Sequence, residues 1–236
     1  MKFEKKDIFT IPNILTYLRL LALPFFIWMM IASIVNKATD TRGIYHFVAF
    51  IIFILAEITD IVDGHIARKY NMVTDIGKII DPIADKLLQG FTILLLAIAV
   101  NTWFVWIFAG ILIFKEIYMG GVLKYFMKKS KRQVEQKANK VGKAGAAMNF
   151  AGLILTFGLY VPNFLGLFDF PEILLGKGGI AYYVDMVYLF VCCFVQIYAA
   201  TQYTIIYNNQ LTKLRESGIL DTLDDQGNPI SKEENN

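Results

Sequence analysis

Six long apolar runs leave this chain few ways to fold. They cover residues 14–35, 44–62, 79–100, 103–123, 144–161 and 180–207. A helix needs about 20 apolar residues to cross the roughly 30 Å hydrocarbon core of a bilayer, and each run has about that length. The strand alternation of a barrel is absent, and an open sheet edge would leave backbone groups unpaired in lipid, so helices are the expected element. The chain therefore reads as all-α, an integral membrane protein whose residues 1–207 form a domain of six transmembrane helices. Residues 208–236 read as a polar tail, in which QLTKLRESGILDTL has a weak pattern for a short interfacial helix. A composition 56% apolar and 18% charged excludes a disordered or ordinary soluble chain. Cys192 and Cys193 are adjacent and cannot form a disulfide framework.

Charge sets the expected sidedness. Residues 124–143 carry Lys124, Lys128, Lys129, Lys131, Arg132, Lys137, Lys140 and Lys143 against a single acid, Glu135. The loops on the other side carry only Lys37, Arg42 and Lys177. Positive-inside bias then puts both termini and the loops at 63–78 and 124–143 in the cytoplasm, with the protein in the cell (inner) membrane. The first run is too long for a secretory signal and no small-residue cleavage site follows it, so it is expected to stay attached. Most of the lysines answer to this rule and to attraction for anionic lipid. No aromatic interleaving accompanies them, and a nucleic-acid partner is not expected.

Ionisable residues at membrane depth are costly and usually functional. They cluster at the end of the second run and the start of the third, in ITDIVDGHIARKYNMVTDIGKIIDPIADK. Asp60 and Asp63 are three apart and Asp81 and Asp85 four apart, so each pair occupies one face of its helix. Four converging carboxylates repel unless protons or cations compensate them, and hard divalent ions suit oxygen ligands while leaving places for phosphate. Gly64, Ala67 and Gly77 are small enough to admit a ligand close to backbone, and Arg68 has a fork matched to phosphate oxygens. Pro82 suggests that the third helix begins or kinks near Asp81. Arg19 reads equally as a snorkelling side chain or a site cation. Ala144, Ala147 and Ala151 suggest a face for close helix packing. Acids also mark transporters, so a carboxylate-lined cation transporter is the alternative from another class, although these acids sit at one boundary instead of crossing the midplane.

The ordered set Asp60, Asp63, Gly64, Ala67, Arg68, Gly77, Asp81 and Asp85 resembles the defining motif of the CDP-alcohol phosphatidyltransferases, with every fixed position filled. The opening IPNILTYLRLLALP is similar to bacterial members that make phosphatidylglycerophosphate and to related ones that make cardiolipin, and the segment IFKEIYMGGVLKYFM, the GK at Gly142 and Lys143 and the QY at Gln202 and Tyr203 are similar to the former. After GK those members usually continue with a lysine, a threonine and a glutamine, where this chain has AGAAMN. The resemblance implies a phosphatidyl transfer from CDP-diacylglycerol to glycerol 3-phosphate, releasing CMP. Cardiolipin synthesis or transfer to another alcohol is the alternative within the family. It also implies two divalent ions, Mg²⁺ or Mn²⁺, on Asp60, Asp63, Asp81 and Asp85, with Asp85 and Asp81 catalytic and Asp85 the general base. Gly64, Ala67, Arg68 and Gly77, with Asp60, would hold the cytidine diphosphate, and a homodimer is implied. Lys143, Lys140, Lys137 and Arg132, as well as Arg19 and Lys115, are candidates for the acceptor's phosphate, with Lys143 and Lys140 favoured by location.

Overall fold

The computed structural model describes residues 10–36, 41–70, 74, 77–131, 140–165 and 179–222. In chain order they form α1 (Ile11–Val35), α2 (Thr41–Lys69), α3 (Gly77–Val100), α4 (Trp103–Lys129), α5 (Lys140–Leu165) and α6 (Ile180–Glu216), then a 3-10 turn at Ile219–Thr222. No strand occurs among the described residues. Each helix lies on one of the six apolar runs and extends beyond it at one or both ends. Four segments, Ile11–Val35, Ile80–Val100, Trp103–Lys129 and Ile180–Glu216, are long and apolar enough to cross a membrane. Side chains such as Leu21 and Phe194, each more than 70% exposed, suit a lipid surround and would be a liability in water.

The helix ends differ from the spacing-based expectation in three places. α2 runs unbroken through Asp60 and Asp63 to Lys69, so the first half of the acidic motif is one continuous helix. α3 starts at Gly77, which leaves Pro82 inside the helix and not at its beginning. The proline ring removes one backbone hydrogen bond there without ending the element. α6 continues past Tyr207 to Glu216, so the first part of the segment read as a polar tail is helical; residues 223–236 lie outside the described residues.

The chain divides into two compact units. The first comprises Met1–Trp106 and Gly152–Val187. Its core is aromatic, with Phe26, Phe53 and Phe157 fully buried and Phe157 meeting the rings of Phe26 at 6.4 Å and His46 at 4.6 Å. α1 packs along both α2 and α3. A tight turn joins α3 to α4, with Asn101 in the left-handed region at φ 51° and its side-chain oxygen accepting from Trp106 Nε1 at 3.2 Å.

The second unit comprises Ile107–Ala151 and Tyr188–Asn236. Here Phe126, Tyr207 and Leu211 are buried together, which explains why α6 persists: Leu211, in the stretch expected to be polar, has an apolar seat. Gln196 Nε2 donates to Gly145 O at 2.7 Å, and Tyr188 donates to Met148 O at 3.2 Å. In this unit's part of α5 it is Gly142 and Gly145 that lie against α6, while Ala144, Ala147 and Ala151, expected to form a close-packing face, are exposed.

Candidate active site

The site is built on three helices of the first unit, and α1 supplies the wall that spacing rules alone do not reveal. Asn13, Thr16 and Arg19 recur every third residue and are 3%, 1% and 3% exposed, a buried polar stripe on an otherwise apolar helix. Each member holds one part of the acidic motif. Arg19 Nη1 donates to Asp60 Oδ1 at 2.5 Å and Nη2 to Asp63 Oδ2 at 2.8 Å. Thr16 donates its hydroxyl to Asp81 Oδ1 at 2.7 Å. Asn13 exchanges hydrogen bonds with Thr74 at 3.0 and 3.2 Å, and Thr74 Oγ1 in turn accepts from the Gly77 backbone N–H at 3.0 Å.

These bonds explain why the motif folds as it does. Asp60 and Asp63 lie one turn apart on α2, so a single guanidinium fork can span them. The start of α3 is fixed against α1 through Thr74 and Gly77, which carries Asp81 to Thr16 one turn later. A Cβ at Gly77 would come within 2.8 Å of Asn13 Oδ1 and 3.0 Å of Thr74 Oγ1. Glycine is required there by close approach, not by backbone torsion. Asp85, one turn beyond Asp81, accepts from Gln89 Nε2 at 2.7 Å.

The two helices share one electrostatic neighbourhood. Asp63 lies within Coulombic reach of Asp81 as well as of Arg19 and Asp60. Glu57, which the motif does not include, lies within reach of Asp85, Asp60 and Arg19. It is 7% exposed, and its Oε1 has no hydrogen-bond partner among the described residues. Its position three before Asp60 was the available signal, because that spacing puts it on the acidic face of α2. The described side chains thus form a chain of five neighbouring carboxylates, three of which, Glu57, Asp60 and Asp63, lie within reach of Arg19. No group of three or more acidic, His or Cys side chains is arranged to hold a metal ion among the described residues.

Of the remaining expected site residues, Gly64 and Ala67 are half-buried on α2 just beyond Asp63, and Gly77 is buried. Arg68 belongs to α2, but its side chain lies outside the described residues. Lys140 and Lys143 are exposed in the first turn of α5, in the second unit. Arg132 and Lys137 lie outside the described residues. Lys115 pairs with its neighbour Glu116 at 2.6 Å. A mainly apolar, open pocket of about 220 Å³ between α1 and α2 is lined by Leu18, Arg19, Ala22, Ile52 and Leu55 among others.

Residues 9–198 match the family model of the CDP-alcohol phosphatidyltransferases. The chain is also similar to bacterial proteins named CDP-diacylglycerol–glycerol-3-phosphate 3-phosphatidyltransferase. It is 44% identical to that of Rickettsia felis over 86 residues, which is 36% of this chain and 43% of the relative. The Bacillus subtilis protein is 38% identical over 92 residues, 37% of this chain and 48% of the relative. The Escherichia coli K12 protein is 31% identical over 124 residues, 52% of this chain and 64% of the relative. The chain spans about half the length of the curated relatives it matches.

Proposed function

From the premise that this chain belongs to the CDP-alcohol phosphatidyltransferase family, we propose that it transfers a phosphatidyl group from CDP-diacylglycerol to glycerol 3-phosphate, giving phosphatidylglycerophosphate and CMP. The observation that carries this reading is the meeting of Asp60 and Asp63 from α2 with Asp81 from α3 on the polar stripe of α1. The acceptor is taken from the names of the relatives, each of which specifies glycerol 3-phosphate.

The chemistry of the donor set, and not a ready-made cage, supports a reading with two divalent ions, Mg²⁺ or Mn²⁺: the oxygens are hard, the site's acids outnumber its one described cation, and the buried Glu57 Oε1 has no partner among the described residues. We assign Asp60, Asp63, Asp81 and Asp85 as their ligands. Such ions, when bound, neutralise charge on the diphosphate and on the departing nucleotide. The protein's own part is positioning and proton removal. Asp85, its Oδ1 oriented by Gln89, takes the proton of the acceptor hydroxyl as that oxygen attacks the lipid-side phosphorus. The new oxygen–phosphorus bond replaces the bond to CMP, which leaves with the electron pair. Asp81, fixed by Thr16, stands one turn away.

Gly64, Ala67, Arg68 and Gly77, together with Asp60, form the proposed pocket for the cytidine diphosphate. Lys140 and Lys143 are the proposed anchors for the acceptor's phosphate, on charge alone. The apolar pocket between α1 and α2 that Arg19 helps to line offers an acyl chain a route from lipid. We further propose six spans, cytoplasmic termini, an inner-membrane location with the site at the cytoplasmic boundary, and a homodimer.

The test is direct: purified protein receives labelled CDP-diacylglycerol, Mg²⁺ or Mn²⁺, and one alcohol at a time, and the lipid product is identified. Glycerol 3-phosphate is expected to give CMP and phosphatidylglycerophosphate. Release of CMP with phosphatidylglycerol alone would move the acceptor to the cardiolipin-forming class, and no CMP with any alcohol would remove phosphatidyl transfer altogether.

A further inference from the structure

Arg19 is buried inside the acidic cluster, and its geometry differs from that of a side chain waiting for a phosphate. The guanidinium spends both terminal nitrogens on the protein itself, Nη1 on Asp60 and Nη2 on Asp63, at 2.5 and 2.8 Å. The Arg19 and Asp63 side chains are 2% and 5% exposed, so water screens this contact poorly. The remaining nitrogen, Nε, is buried and without a partner among the described residues. The fork occupies the space between two carboxylates one helical turn apart, where a cation shared by that pair would also be drawn.

We infer that Arg19 is a built-in counter-cation: it neutralises Asp60 and Asp63 when no metal is bound and competes with divalent ions for the same two carboxylates. The inference rests on the reading of these acids as cation ligands. Two physical facts support it. An uncompensated buried carboxylate is strongly destabilising, and of the pair Asp63 is buried while Asp60 is 39% exposed, so the empty site is stabilised by a positive charge held chiefly against Asp63. A guanidinium within hydrogen-bond distance of both ligands repels an arriving divalent ion, so it raises the concentration at which the ion binds. Arg19 is thus a positioning residue that acts through the carboxylates, and one charge serves both the stability of the empty state and the threshold for loading.

The experiment measures cation binding and stability without turnover. Full-length wild type, Arg19→Gln and Arg19→Lys are purified in detergent, titrated with Mn²⁺ while free Mn²⁺ is followed by electron paramagnetic resonance, and melted in EDTA and in saturating Mn²⁺. Arg19→Gln is expected to bind Mn²⁺ about tenfold more tightly than wild type, since one unscreened like charge has been removed from the ligands. It should melt lower than wild type in EDTA, with the gap narrowing in Mn²⁺. Arg19→Lys, which keeps the charge but loses the two-pronged fork, should fall between. Should the glutamine variant not survive purification, a severalfold tightening in the lysine variant carries the same conclusion. Unchanged or weaker Mn²⁺ binding in the variants, with wild type binding normally, overturns the counter-cation role and leaves the proposed chemistry standing. Absence of Mn²⁺ binding in every variant overturns the ligand assignment and this inference with it.

Discussion

Gly77 and Asp85 show how differently single residues contribute to the site. Gly77 carries a packing constraint: a methyl group there would press on Asn13 Oδ1, which accepts from Thr74, and on Thr74 Oγ1, which accepts from the Gly77 backbone N–H. Gly77→Ala is expected to lower stability by about 1–3 kcal/mol, the usual cost of overpacking, and to disturb Asp81 one turn on. A melting curve of the purified variant checks this, and an unchanged melting temperature would mean that the Asn13–Thr74 pair yields freely. Asp85 is the proposed base. Asp85→Asn keeps the shape and removes the proton acceptor, so turnover should fall by at least about 100-fold while CDP-diacylglycerol still binds. Single-turnover and binding measurements separate the two effects, and retained turnover would take the base role from Asp85. The four aspartates are legible in the sequence because acids are conspicuous in apolar runs. Glu57 is equally conspicuous, yet it lies outside the resembling motif and only burial beside Asp60 and Asp85 gives it weight. Asn13 and Thr16 are not conspicuous at all, since an isolated amide or hydroxyl in an apolar helix is tolerated without any partner on another helix being evident.

At the scale of elements, the number and placement of the helices follow from the runs, while their ends follow from tertiary contacts. The end of α6 is the clear case, because Leu211 is buried with Phe126 and Tyr207 and the helix continues beneath that contact. A second pairing was present in the sequence only as two separate dipeptides. Gly142, of the GK pair, packs against Tyr203, of the QY pair: a Cβ at Gly142 would overlap the Tyr203 hydroxyl and lie 2.7 Å from its ring carbons. Tyr203 is itself packed on the apolar cluster of this unit, its ring 6.1 Å from that of Tyr207, so moving it disturbs those contacts. Gly142→Ala is therefore expected to destabilise the protein by about 1–3 kcal/mol. Because the hydroxyl is the nearest atom, adding Tyr203→Phe should recover part of that loss. A double-mutant cycle read by thermal melting checks the coupling, and strictly additive effects would show that the two dipeptides stabilise independently.

For the whole molecule, the decisive quantity is the asymmetry of charge along the chain. The excess of lysine and arginine in residues 124–143 predicts the compartment of both termini and hence of the acidic site, because an even number of spans returns the chain to its starting side. Cysteine labelling can test this without interference, as the native thiols are secluded: Cys192 is 0% and Cys193 5% exposed. Ser217, just past α6, and Thr41, the first residue of α2, are both exposed and lie at helix ends that the charge pattern assigns to opposite sides. In intact cells, a membrane-impermeant maleimide should label Thr41→Cys and spare Ser217→Cys, which should react only after the membrane is opened. The reverse pattern would put the acids on the outer face, away from a cytoplasmic nucleotide-activated donor, and equal labelling of both would break the even span count. The orientation matters chemically as well: in the proposed reaction CMP would leave as a charged nucleotide, and a site at the cytoplasmic boundary would release it to water without carrying it across the bilayer.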